Sequence, residues 1–260
     1  MVTCNEGKNL SEAGPTIHFL CSSLMNPSTK RFIDLSHPLT SETQIYPSDP
    51  TFQCKPHATH AKDGYCVHQL SLGTHTGTHI DAPYHFFADG RKIGDIQLEE
   101  LVGDVAVVNL SGLKERQRIS WEVLQPHEQL IHGCRILLIN TGWSRAHYQT
   151  PMYLSHPYLA PNIAAEILAR GIRVVGVDTL NPDETLSTFA IPEGSDGFGF
   201  HEAFLEAGGI IAENLTNLEE LLEAQETTPE GEKWVVNLVP LNLTEGDGSP
   251  VRAFAQRVRR

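Results

Sequence analysis

Residues 72–86 read LGTHTGTHIDAPYHF, and this stretch places His75, His79, Asp81 and His85 within eleven positions. Two glycines and one proline interrupt the stretch. The other histidines are spread along the chain without a comparable local group. A concentration of imidazole and carboxylate groups at bends of the chain predicts a metal or catalytic site.

The spacing within this stretch brings three side chains toward one point. His79 and Asp81 are two residues apart, so in an extended strand their side chains leave the same face. His75 lies four positions earlier, and Gly77 allows the chain to bend sharply between them. Two imidazole nitrogens and a carboxylate oxygen suit Zn²⁺, Mn²⁺ or Fe²⁺ and leave positions open for water and substrate. On spacing alone, the alternative is a polar turn with solvated histidines.

A second pair of candidate ligands lies in HEAFLEAGGIIAENL, residues 201–215. His201 is predicted to open a short helix, and Glu213 lies in an apolar run where an unpaired carboxylate is costly to bury. Taken alone, the pair fits a solvated histidine and a salt-bridged glutamate at least as well as it fits two metal ligands.

Composition excludes several classes of protein. The 260 residues are 40% hydrophobic and carry a formal charge of −13, which argues against nucleic acid as a partner. Five cysteines without a CxxC pair predict neither a disulfide framework nor a cysteine zinc site, so we expect a cytoplasmic, reducing location. The sequence shows neither a secretory signal nor about 20 continuous apolar residues, so no membrane association is expected. The arginine-rich residues 252–260 are predicted to form a solvated tail.

The pattern along the chain predicts one α/β domain with a mixed sheet. Residues 1–30 are predicted to be a poorly ordered extension, and residues 31–260 the domain. Thr216 and Glu219 are predicted to form a capping box at the start of a helix over 215–225. Buried strands are predicted at 103–110, 134–142, 172–178 and 234–243, and helices at 160–171 and 215–225.

The histidine-rich stretch also resembles a known family signature. His75-x-Gly77-Thr78-His79-x-Asp81-x-Pro83-x-His85 matches every fixed position of HxGTHxDxPxH, the signature of the metal-dependent cyclase family. This family includes bacterial-type kynurenine formamidases, isatin hydrolases and some polyketide-pathway cyclases. Blocks similar to the family include IDLSHPL near the start, LLINTGW at 137–143, the segment 156–183, and EGDGSPVRAFA at 245–255, so that the resemblance covers roughly residues 31–260.

The resemblance implies a fold, an assembly and a ligand set. The implied fold is a swivelling β/β/α domain with a mixed β-sheet core flanked by helices, assembled as a homodimer or homotetramer. The implied cofactor is a divalent metal, zinc or manganese, with one or two ions per chain. The implied ligands are His75, His79 and Asp81 for one ion, with Asp81 able to bridge to a second ion whose other ligands are His201 and Glu213.

Two further residues take their expected roles from the same resemblance. His85 matches the catalytic acid/base histidine of the family. The formamidases have WPGD after the first strand, where the tryptophan helps to hold the aromatic substrate, whereas this chain reads YPSD with Tyr46 and Ser48. Tyr46 offers a smaller surface and a hydroxyl that needs a partner, which predicts a more oxygenated ring and N-formylkynurenine as a poor substrate. An ordinary half-buried tyrosine explains this position equally well.

The predicted function is metal-dependent hydrolysis of a C–N bond in a small amide, lactam or N-formyl aromatic substrate. A metal activates water and polarises a carbonyl, while a histidine transfers the proton. The same ligands also allow a cyclase or dehydratase of a polyketide-like pathway, in which the metal stabilises an enolate. A catalytically silent metal-binding protein is a third possibility, although such a protein has no need of His85.

Overall fold

The computed structural model describes residues 30–186 and 193–260, so nearly all of the predicted 1–30 extension lies outside the described residues. The strands are β1 (Phe32–Asp34), β2 (Gln53–Ala58), β3 (Val67–Ser71), β4 (His79–Asp81), β5 (Val102–Asn109), β6 (Arg118–Ile119), β7 (Ile136–Asn140), β8 (Tyr158–Leu159), β9 (Val174–Val177), β10 (Ile210–Glu213), β11 (Glu232–Asn237), β12 (Gly248–Pro250) and β13 (Phe254–Arg259). The helices are α1 (His60–Asp63), α2 (Leu98–Leu101), α3 (Trp121–Leu124), α4 (Glu128–Ile131), α5 (Trp143–His147), α6 (Ile163–Ala169), α7 (Gly199–Glu206) and α8 (Leu218–Glu226).

A nine-stranded mixed sheet forms the centre of the molecule, in the order β1-β13-β11-β5-β7-β9-β10-β4-β12. The four central strands from β5 to β10 are parallel, and the strands on both flanks are antiparallel. Parallel strands are covered on both faces, which explains why their sequences are nearly continuous runs of Val, Ile and Leu. The predicted α/β fold with a mixed sheet is confirmed.

Alternating side chains of the sheet belong to two hydrophobic clusters. In β7, Ile136 and Leu138 face the cluster that includes residues of α8, while Leu137 and Ile139 face the cluster that includes α6 and α7. The period of two along each strand produces this division. Helices therefore cover both faces of the sheet.

Two local predictions were wrong. Helix α8 begins after Asn217, which has a left-handed φ of 57°, and the predicted capping box of Thr216 and Glu219 does not form, because the Thr216 N–H donates to the Leu35 carbonyl instead. The C-terminal arginines do not form a solvated tail. Strand β13 lies inside the sheet, between β1 and β11. Its backbone is paired on both sides, and its arginines lie on the more exposed positions.

Two smaller pairs of strands lie outside the large sheet. Strands β2 and β3 form an antiparallel hairpin, and β6 and β8 form a short parallel pair. Among the described residues, no helix combines the length and apolar character needed to cross a bilayer.

Candidate active site

Strand β4 holds two of the predicted ligands on one face of the sheet. It pairs antiparallel with β10, and this register places His79 opposite Glu213 and Asp81 opposite Ile211. Ile80 points to the other face and joins the hydrophobic core. The predicted shared face of His79 and Asp81 is therefore observed, and the register adds Glu213 to it. All three polar side chains are buried.

His75 reaches the same place because the chain bends at Gly77. Gly77 has a φ of +66°, and a Cβ at this position would lie 2.6 Å from Leu39 Cδ2. A second glycine, Gly248, leaves the space that the imidazole fills, since a Cβ there would lie 2.6 Å from His75 Cε1. The His75 Nδ1 atom lies 2.7 Å from Asp81 Oδ1.

Helix α7 brings His201 to the opposite side of Asp81. His201 Nε2 lies 3.1 Å from Glu213 Oε1 and 3.5 Å from Asp81 Oδ2. Its other ring nitrogen, Nδ1, lies 2.5 Å from Asp183 Oδ2. The Asp183 carboxylate also accepts the backbone N–H groups of Phe200 and His201 in the first turn of α7. Asp183 therefore fixes both the start of the helix and the orientation of the imidazole.

Three buried polar atoms at this point form no hydrogen bond of acceptable geometry within the described parts of the chain, although each lies within 3.5 Å of another donor atom of the site. They are His79 Nε2, Asp81 Oδ2 and Glu213 Oε1. His79 Nδ1 lies 2.7 Å from the Gly77 carbonyl and donates to it, which leaves the Nε2 lone pair directed at the carboxylates. Unpaired buried polar atoms are costly, and their convergence is typical of a site that a bound ion completes.

The distances between these donor atoms are in the range found between ligands of a bound metal. His79 Nε2 lies 3.3 Å from Asp81 Oδ1 and 3.3 Å from Glu213 Oε2. Ligand atoms about 2.0–2.2 Å from one tetrahedral ion are about 3.3–3.6 Å apart. Two groups of three side chains offer donor atoms within 4.8 Å of one another, His75 with His79 and Asp81, and Asp81 with His201 and Glu213. The residues present therefore fit a divalent metal, with Asp81 shared between the two groups.

The electrostatics of the site also favour added positive charge. Burial alone lowers the pKa of His79, but the negative charges of the adjacent Asp81 and Glu213 carboxylates outweigh burial and raise the pKa to about 10. Burial also lowers the pKa of His75, but Asp81 and Asp247 outweigh burial and raise this pKa to about 9. The carboxylates thus draw protons onto the imidazoles. A divalent cation supplies the same compensation while leaving the imidazoles neutral.

His85 lies at the edge of this cluster, on a short 3-10 turn that begins at Pro83. His85 Nδ1 lies 3.3 Å from Asp247 Oδ2, and the same oxygen lies 2.9 Å from His75 Nε2. These two hydrogen bonds hold the pKa of Asp247 well below its usual range. The His75 and His85 rings are 4.0 Å apart. Together, His75, His85 and Asp247 form a third group of donors.

A cavity of about 450 Å³ opens above these residues. Its apolar wall contains three aromatic rings, in which Phe198 lies 5.6 Å from Phe86 and 6.1 Å from Tyr46. His75, His85, His201 and Glu213 line the same cavity. Tyr46 therefore does lie at the cavity, as the sequence resemblance implied. The arrangement places an aromatic molecule next to a group of metal-binding donors and an imidazole.

The structure brings all the predicted site residues to one location. Sequence reasoning missed Asp183, Asp247 and Phe198. Asp183 and Asp247 lie in the blocks 156–183 and 245–255 that resemble the cyclase family, so a signal was present, but their local spacing relates neither residue to the histidines. Phe198 belongs to no pattern recognised in the sequence.

Comparison with known proteins gives a consistent result. The family model described as "Putative cyclase" matches residues 33–184. A kynurenine formamidase of Geobacillus thermodenitrificans (strain NG80-2) is 31% identical over 237 residues, covering 90% of this chain and 100% of that protein. A kynurenine formamidase of Bacillus mycoides (strain KBAB4) is 30% identical, covering 88% of this chain and 99% of the relative.

Solved structures share the fold at lower identity. An isatin hydrolase bound to the product analogue thioisatinate superposes with a TM-score of 0.72 at 19% identity, covering 88% of this chain and 92% of the other. Isatin hydrolase A from Labrenzia aggregata, bound to benzyl benzoate, gives a TM-score of 0.73 at 24% identity, covering 88% and 94%. At these identities the likeness establishes the fold.

Proposed function

The chain belongs to the cyclase family, and on this premise we propose that it is a metal-dependent hydrolase acting on the C–N bond of a small aromatic amide, lactam or N-formyl compound. The observation that carries the proposal is the convergence of three buried atoms below an aromatic cavity, His79 Nε2, Asp81 Oδ2 and Glu213 Oε1, none of which forms a good hydrogen bond to a described residue. The formamidase relatives, which match this chain over nearly its whole described length, support hydrolysis of an amide.

The ligands proposed for the metal are the five residues implied by the family resemblance. When bound there, zinc or manganese polarises the carbonyl of the substrate and lowers the pKa of a water molecule to about 7. Asp81 has one oxygen toward His75 and the other toward His201, so it would be shared between the two groups of ligands if two ions were bound. His75, His79 and Asp81 would hold one ion, and Asp81, His201 and Glu213 the other.

His85 is the proposed acid/base residue. Its Nδ1 atom faces Asp247, so Asp247 holds the tautomer in which Nδ1 carries the proton and Nε2 is free. His85 takes one proton from the attacking water as the oxygen forms a bond to the carbonyl carbon. It then gives this proton to the nitrogen as the C–N bond breaks. The products together gain one water and the imidazole returns to its starting form.

Restoration of activity by metal tests this function. Chelator-treated protein is incubated with formanilide or isatin, with and without added Zn²⁺ or Mn²⁺, and products are identified by mass. We expect turnover only with metal, and products that have gained one water. If the fully metal-loaded protein instead catalyses loss of water from the substrate or closure of a ring in it, the protein is a dehydratase or a cyclase. Elemental analysis of the purified protein counts the ions.

Tyr46 is proposed to influence which aromatic substrate is accepted. The Tyr46 hydroxyl oxygen accepts a backbone hydrogen bond from Leu186, but its own proton needs an acceptor in the bound complex, and a ring that offers none costs about 1–3 kcal/mol. We expect N-formylkynurenine to be a poor substrate beside hydroxylated aromatic amides, lactams and cyclic imides, and Tyr46→Trp to improve its kcat/KM. A value for N-formylkynurenine well above the rest of the panel in the unmodified protein would show that this tyrosine does not select the substrate.

We also infer that a second copy of the chain covers the β2–β3 hairpin. All five residues of β3 and all residues of β2 except Ala58 are exposed, including Val67 and Leu70. A two-stranded hairpin without packing partners is marginally stable in water. The molar mass measured by light scattering should be that of a homodimer or homotetramer. The Leu70→Lys substitution should shift this molar mass toward that of the monomer. A monomeric unmodified protein contradicts this inference.

We also propose a reducing, cytoplasmic location. The free cysteines Cys54, Cys66 and Cys134 support it.

A further inference from the structure

One carboxylate at the cavity differs from the others around the site. Asp81, Asp183, Glu213 and Asp247 each contact at least one imidazole. Asp49 also lines the cavity and is half-buried, yet its carboxylate forms no hydrogen bond or ion pair within residues 30–186 and 193–260. Burial raises the pKa of the Asp49 carboxyl, as expected where a charge is poorly compensated.

A rigid turn holds Asp49 at the cavity wall. The Asp49 N–H donates to the Tyr46 carbonyl at 3.1 Å, which closes a four-residue turn with Pro47 and Ser48 at its centre. Ser48 has a φ of 85°, and a turn with proline first and a left-handed residue second is type II, which favours glycine at the second position. The chain keeps this conformation with a serine. Pro47 limits the turn further, so Asp49 has little freedom to withdraw from the cavity.

Asp49 also stands apart from the groups proposed to bind metal. In the part of the chain that the structure describes, Asp49 belongs to none of the groups of donors that lie within 4.8 Å of one another. The wall beside it carries the aromatic rings of Tyr46 and Phe198. A carboxylate next to aromatic rings is suited to an ammonium ion, which pairs with the carboxylate and is attracted to the ring faces.

We propose that Asp49 binds a cationic amino group of the substrate, so that among the aromatic amides or N-formyl compounds whose ring is accepted beside Tyr46, those that carry an ammonium group are preferred. The proposal rests on the hydrolytic function proposed above. It gives Asp49 the role of a specificity residue that contacts the substrate away from the bond that breaks.

A matched pair of substrates tests the proposal. N-[3-(aminomethyl)phenyl]formamide carries an ammonium group where N-(3-ethylphenyl)formamide carries a methyl group of similar size. With the metal-loaded protein, Asp49→Asn should raise KM for the ammonium compound about 10- to 100-fold and leave KM for the ethyl compound and kcat for both nearly unchanged. Asp49→Glu should recover part of the loss. Glu115→Gln removes an exposed carboxylate outside the cavity lining and serves as the control for net charge.

Binding of the corresponding anilines separates this proposal from the hydrolytic function. 3-(Aminomethyl)aniline should bind the unmodified protein more tightly than 3-ethylaniline by calorimetry, and Asp49→Asn should abolish the difference. If both formamides remain intact but the binding difference is present, the hydrolytic function fails and the recognition by Asp49 stands. Equal binding of the two anilines, equal changes for both substrates, or loss of metal from Asp49→Asn would overturn the proposal.

Discussion

The floor and the rim of the site use the same residue types but are built differently. The floor consists of His79, Asp81, His201 and Glu213, whose side chains are at most 7% exposed. The rim consists of His75, His85 and Asp247, whose side chains are 15% to 35% exposed. Two paired strands and a helix hold the floor, whereas loops and a 3-10 turn hold the rim.

This difference suits the two tasks proposed for the site, metal binding and proton transfer. The buried floor fixes the positions of its donor atoms and leaves three of them without a hydrogen bond to any described residue, which suits the proposed metal. The rim reaches the cavity and solvent, so His85 is able to exchange protons while Asp247 keeps its orientation. His75 belongs to both regions, because one of its nitrogens faces Asp81 and the other faces Asp247.

The largest effect is expected from removing a floor ligand. His79→Ala takes away the buried nitrogen that lies 3.3 Å from both carboxylates, so it should abolish metal binding and all turnover while the protein stays folded. Elemental analysis and circular dichroism measure the two properties. His57→Ala, an exposed histidine on β2, is the matched control and should keep its metal. Full metal content in His79→Ala would contradict the assignment of the floor.

Removing the imidazole of the rim should separate metal from activity. His85→Ala should retain its metal and lose turnover by about 10²- to 10⁴-fold, the range typical of a general acid/base group. The metal content and kcat are measured on the same preparation. Near-normal turnover would exclude an acid/base role. Loss of metal would make His85 a ligand in the group with His75 and Asp247 and would remove the distinction between floor and rim.

Asp183 offers a smaller, indirect disturbance of the floor. Asp183→Asn places an N–H donor or a weaker acceptor beside His201 Nδ1, which favours the tautomer in which Nε2 carries the proton and binds no metal. We expect metal affinity to fall about 10- to 100-fold, measured by competition with a chelator. Asp183→Glu is the matched variant, because it keeps the negative charge but moves the carboxylate oxygen away from its position beside His201 Nδ1. Unchanged affinity in both variants would mean that α7 positions His201 without help from Asp183.

Asp178 tests the pH dependence of the fold apart from the site. It is fully buried after β9, where Oδ1 accepts two hydrogen bonds from Thr141, and burial raises its pKa to about 6. Between about pH 4 and pH 6 the folded state holds this proton more tightly than the unfolded state. Stability should therefore fall as pH rises, by up to about 1.4 kcal/mol per pH unit. Asp178→Asn keeps an acceptor for Thr141 and should flatten this slope in denaturant titrations. A slope unchanged by the substitution would assign the pH dependence to another group.

The sequence by itself determined the local half of the site and the central strands. His75, His79, Asp81 and His85 lie within eleven residues, so the periodicity of a strand and the bend at Gly77 were sufficient to bring the first three together. Three of the four parallel strands, β5, β7 and β9, were predicted because burial on both faces requires continuous apolar runs, whereas β10 was not predicted as a strand. His201 and Glu213 were reached through the family resemblance, since their own surroundings fit an ordinary helix start and salt bridge equally well.

Only the tertiary structure decided which distant segments meet at β4. Glu213 faces His79 because β10 pairs with β4, and Asp247 reaches His75 because β12 pairs with the other edge of β4. Likewise, β13 enters the sheet although its arginines predicted a solvated tail. Hydrophobic patterning specifies which face of a strand is buried, but strand order and register depend on pairing between segments far apart in the chain. For that reason the proximity of Asp49, Asp183 and Asp247 to the cavity and the histidines became visible only in the folded molecule.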